Sequence, residues 1–126
     1  MNRMIKVIAV SAVIMMALDF IYLYLNKRAF SEHFALVQRV VLQINYVGAI
    51  ICYILLIFGL YYFILREKRS IEEAFLFGLI IYGVYDSTNY ATLKRWSPNL
   101  AVMDTIWGGI LMSLTTYLTY LIVPIL

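Results

Sequence analysis

Four stretches of this chain are each long and apolar enough to cross a bilayer, and that limits most of what it can fold into. They run over residues 4–25, 41–65, 71–90 and 100–125. A hydrocarbon core about 30 Å thick takes roughly 20 residues of helix to span. The first stretch holds only two charged residues, Lys6 and Asp19, and the second holds none. Lipid offers no partners to backbone N–H and C=O groups, so runs of this length become helices. Composition agrees. The chain has 126 residues, 64% apolar and 13% charged, whereas soluble domains are nearer half apolar and a quarter charged. A soluble domain this small would keep large apolar patches exposed. The expectation is an all-α, four-transmembrane-helix bundle, a single domain over residues 1–126, multi-pass and embedded in lipid.

The separators are "NKRAFSEHFALVQR", "REKRS" and "LKRWSPN". The N-terminus resembles the basic and apolar regions of a signal peptide. The apolar run continues past Asp19 to Leu25 with no small-residue cleavage site, so a retained first span is expected. Ser97 followed by Pro98 is a good start for the fourth helix. Ser31 and Glu32 are read as the start of a short amphipathic helix on the membrane surface, with Phe30, Phe34 and Val37 on one side. The net charge is +3, but the basic residues sit in short clusters beside apolar runs. That is a membrane-flanking pattern, and no nucleic-acid partner is expected. Arg3, Lys6, Arg66, Lys68 and Arg69 lie on one face, and Lys27, Arg28, Arg39, Lys94 and Arg95 on the other. Five against five leaves the orientation and the host membrane open under the positive-inside rule.

The informative residues are three carboxylates. Measured inward from the face of loops one and three, Asp19 is roughly 10 Å deep, Asp86 roughly 12 Å and Asp104 roughly 9 Å, at 1.5 Å per residue. Helix two brings Asn45 to the same level. At 100° per residue, Tyr82, Tyr85, Asp86, Asn89, Thr92 and Trp96 fall on one broad face of helix three. On helix four, Asp104 shares a face with Trp107, Gly108 and Leu111, beside a small-residue stripe of Ala101, Thr105, Gly109 and Ser113 that permits close helix contact. Asn45, Gly48, Ala49, Cys52 and Gly59 give helix two a small face. Asp19 lies with Ala12, Met15, Met16, Tyr22 and Asn26 on helix one. These faces are expected to turn inward around a polar pocket open toward loops one and three. A charge within the membrane costs at least about 2.5–3.5 kcal/mol on insertion scales. Carboxyls brought together there are expected to share protons or hold a cation.

The segment "YDSTNYATLKRW" followed by "DTIWGG" resembles the small four-span membrane family known as domain of unknown function 2177. Its pattern is an aspartate in the first span, a YD-x-TN-x-AT-L-x-x-W segment in the third and D-x-x-W-G in the fourth. Here these are Asp19, then Tyr85, Asp86, Thr88, Asn89, Ala91, Thr92, Leu93 and Trp96, then Asp104, Trp107 and Gly108. The resemblance covers essentially the whole chain. One departure is Ser97 between Trp96 and Pro98, where the family tends to place the proline directly after tryptophan. The resemblance implies the four-span fold and no established activity.

The ligand- or ion-binding candidates are therefore Asp19, Asn45, Tyr85, Asp86, Asn89, Thr92, Asp104 and Trp107, for a proton, a cation or a small polar solute. A structural role weighs about equally: the aspartates would fix helix packing in a cellular or virion membrane assembly. An intramembrane acid/base enzyme on a lipid-like substrate comes last, because no catalytic nucleophile or metal set is visible. No cofactor or metal is expected. His33, the single histidine, has no Cys partner in its loop, and Cys52 reads as a small packing residue. Trp96 reads as an interfacial anchor, Trp107 as a packing residue, and Tyr22, Tyr24, Tyr61, Tyr62 and Tyr90 as belt residues. A homo-oligomer or a membrane-assembly partner stays open, since small-residue stripes serve contacts within and between subunits alike.

Overall fold

The computed structural model describes residues 2–38, 46–92 and 97–126, of which residues 27–38 are described through their backbone. Helix α1 runs Arg3–Gln38. Helix α2, Tyr46–Leu60, continues as a π-helical turn over Tyr61–Leu65. Helix α3 is Ile71–Thr92 and α4 is Pro98–Ile122, which ends in a 3₁₀ turn, Val123–Ile125. All regular structure among the described residues is helical.

The ends follow local chemistry. Ser70 and Glu73 form a capping box at α3: Glu73 N–H donates to Ser70 Oγ at 3.1 Å, and Ser70 N–H donates back to Glu73 Oε1 at 3.3 Å. Ser97 caps α4 by accepting from Leu100 N–H at 3.2 Å, with Pro98 at the first helical position. Between α2 and α3, Lys68 adopts φ 53°. Lys68 N–H donates to Leu65 O at 3.1 Å and Arg69 N–H to Ile64 O at 2.9 Å, which closes the turn. Glycine usually takes such a left-handed site, and a lysine there costs about 1 kcal/mol.

The first helix does not break near Ser31 as the sequence suggested. It continues to Gln38, with no Gly or Pro between residues 26 and 38 to interrupt it. At 36 residues it is about 54 Å long and outruns the hydrocarbon core. The side chains of Phe30, Phe34 and Val37 lie outside the described residues.

Among the described residues, three helices are long and apolar enough to cross a membrane, over Arg3–Asn26, Tyr46–Leu65 and Pro98–Ile125. Helix α3 is about 33 Å long, also enough to cross, but Glu72 and Glu73 at its start and Asp86, Ser87, Thr88 and Asn89 near its end make it more polar. It is the helix packed most intimately on α4. A Cβ on Gly78 would sit 2.1 Å from Gly108 O, and one on Gly108 would sit 2.2 Å from Cγ of Tyr82. The two backbones touch there because neither carries a side chain. Pairs along this contact (Phe75 with Gly109, Gly78 with Gly108, Asp86 with Thr105) show the helices antiparallel.

Helix α4 is central. Gly108, Gly109, Leu111, Met112, Thr115, Thr116 and Thr119 are buried on it. Val7, Ser11, Met15 and Asp19 are buried on α1. Helix α2 turns Tyr53, Leu56, Leu60 and Ile64 toward the core. Its small face is therefore not the inward one: Gly48 and Cys52 are exposed, and Cys52 does not pack in the interior. In lipid, large apolar side chains are content on either face, so the small residues did not mark the core.

Candidate functional site

Three helices bring their aspartates to one end of the bundle, in two different settings. Asp19 of α1 is buried, 8% exposed. The Trp107 indole N–H of α4 donates to Asp19 Oδ1 at 3.1 Å, and the Tyr53 hydroxyl of α2 donates to Oδ2. The Tyr22 ring lies flat on Trp107, with centroids 4.4 Å apart and planes 2° from parallel. One carboxyl thus ties three helices, and both its oxygens receive a donor. An indole N–H and a phenol O–H both suit an ionised carboxylate.

Asp86 of α3 is also buried, 3% exposed. Its carboxyl and that of Asp104 on α4 lie within hydrogen-bonding reach of each other. Asp104 is half-buried and also feels the charge of Asp19, so the three carboxyls form one electrostatic group. Thr105 Oγ1 lies 3.3 Å from Asp86 Oδ2 and 2.8 Å from Ala101 O. A hydroxyl has one hydrogen. Thr105 Oγ1 donates within reach of both acceptors, the Asp86 carboxyl on α3 and the Ala101 carbonyl on its own helix. Two carboxyls this close repel each other when both are ionised.

The other sequence candidates fall around this pair. Tyr85 and Asn89 hydrogen-bond to each other through their side chains one turn along α3, with Tyr85 largely exposed and Asn89 half-buried. Thr92 is exposed and donates back to Thr88 O at 2.7 Å, so its hydroxyl serves its own helix. Asn45 and Trp96 lie outside the described residues, as do residues 39–45 and 93–96 of the loops on this face. Among the described residues, no three His, Cys, Asp or Glu side chains are arranged to hold a metal ion.

Sequence reasoning missed two members. Tyr53 is a donor to Asp19, and its signal was its helical register with Leu56, Leu60 and Ile64. Tyr22, read as a belt residue, instead stacks inside the bundle. Trp107, read as packing, is also a donor: a buried indole N–H needs an acceptor, and Asp19 is there.

A family model described as "Predicted membrane protein (DUF2177)" matches residues 4–121 of the chain. Comparison with curated proteins and with solved structures finds no significant match.

Proposed function

The chain belongs to this family of predicted membrane proteins, and on that premise we propose that its carboxyl group is an intramembrane proton-binding site, with α3 as a fourth span. It is an integral, multi-pass membrane protein. Asp86 and Asp104 hold one proton between them. Asp104, the half-buried member, exchanges it with water or with a cationic or polar solute arriving from the α1–α2 and α3–α4 loop side. Asp19, held by its Tyr53 and Trp107 donors, borders the pair.

What supports this is that the buried Asp86 and the half-buried Asp104 lie within hydrogen-bonding reach of each other, an arrangement that repulsion between two ionised carboxylates disfavours in a medium of low dielectric. Asp19 supports a second, structural role: its donors come from α2 and α4, so it fixes helix packing whatever the pair does.

The test is pH-dependent proton or cation flux across liposomes holding the purified protein. Flux is expected to fall to background in Asp86→Asn and in Asp104→Asn. Undiminished flux in both variants would remove the proton-site reading and leave the structural one.

A further inference from the structure

The opposite end of the bundle carries a cavity of about 630 Å³, within the usual 300–1,000 Å³ range of small-molecule sites. It lies where three spans end together: the start of α1, the turn after α2 and the close of α4. Its lining holds Arg3, Lys6 and Lys68 and no acidic side chain. The walls beneath the cations are apolar, with Val7, Val123 and Pro124 among them.

Among the described residues, no Asp or Glu pairs with these three cations, although the last residue, Leu126, also lines the cavity. Among the described residues, the ion pairs at this end join Arg66 to Glu67 at 3.3 Å and Arg69 to Glu73 at 3.5 Å. The neighbouring hydroxyls are engaged as well: Tyr120 donates to Arg69 O at 2.7 Å, and Thr119 donates to Thr115 O at 2.6 Å. Lys6 is half-buried, one turn below Arg3. Lys68 stands on the left-handed turn already described. Three basic side chains against the single terminal carboxyl of Leu126 leave a surplus of positive charge at the level where spans end, beside an apolar wall, and complement a phosphate that carries a hydrocarbon tail.

We propose that this cavity binds the phosphate headgroup of an anionic glycerophospholipid, with Arg3, Lys6 and Lys68 around the phosphate and the glycerol and upper acyl chain against the apolar wall. The site is separate from the carboxyl group and stands whether or not that group handles protons.

The full chain in zwitterionic detergent would be titrated with short-chain phosphatidylglycerol, with phosphatidylcholine of the same chain length, and with glycerol phosphate, and bound ligand counted by native mass spectrometry. One phosphatidylglycerol is expected to bind at least tenfold more tightly than phosphatidylcholine. Lys6→Gln should weaken it about fivefold, and the triple change Arg3→Gln, Lys6→Gln, Lys68→Gln about a hundredfold. Lys6→Arg should keep the affinity, which separates charge from fold. Equal binding of the two lipids, or a triple variant within twofold of the parent, would overturn the proposal. Glycerol phosphate binding as tightly as the lipid would overturn the lipid assignment in favour of a soluble phosphate.

Discussion

Asp19 and the Asp86–Asp104 pair sit at one end of the same bundle, yet their surroundings ask opposite things of them. Asp19 meets a phenol and an indole, two groups that here donate. It serves as the knot of α1, α2 and α4. Asp86 and Asp104 meet each other, and beyond that Asp86 has one hydroxyl, that of Thr105, which Ala101 O also shares. They join only α3 to α4, and the proposed shared proton would relieve their repulsion. The lesson is that membrane depth alone does not set a carboxyl's chemistry. The donors packed against it do.

The contrast can be broken most severely at the glycine contact. Gly78→Ala drives a methyl to 2.1 Å from Gly108 O, a backbone atom that cannot swing aside. The helices must separate, at a cost of roughly 3 kcal/mol or more. Thermal unfolding in detergent should show that loss. Because α3 supplies Asp86 but nothing to the cage of Asp19, the Trp107 fluorescence environment should change far less than stability does.

A smaller effect is expected at the knot. Asp19→Ala leaves the Trp107 N–H and Tyr53 O–H buried without their acceptor, worth about 1–3 kcal/mol. Unfolding midpoints should fall and Trp107 emission should shift. An unshifted emission would mean that the indole has another acceptor and that the cage is not what orients it. Smallest of all is Thr105→Val. Its contact with Asp86 is the longer of its two, so the change should cost no more than about 0.6 kcal/mol, the average for such contacts between membrane helices. A loss well beyond that would show Thr105 to be a true partner of the pair.

Much of this was legible in the sequence. Apolar runs of bilayer length mark three of the helices directly, because lipid leaves the backbone little choice. The common depth of Asp19, Asp86 and Asp104 follows from helical rise and antiparallel connection alone. The inward face of α2 was not legible. Its Gly48 and Cys52 suggested one face and its Tyr53, Leu56 and Leu60 occupy another, since hydrophobicity does not separate core from lipid. For the same reason Tyr53 and Tyr22 went unread. The unbroken run of α1 past Ser31 was hidden by side chains that suit a surface helix and a continuing one equally well.

The central claim is that the Asp86–Asp104 pair shares a proton. Infrared spectroscopy of the reconstituted protein at neutral pH, with each aspartate changed singly to asparagine, addresses it directly. A protonated-carboxyl C=O stretch should be present in the parent, absent in Asp86→Asn and Asp104→Asn, and unchanged in Asp19→Asn. A parent with no such band, or a band lost only with Asp19, would contradict the account.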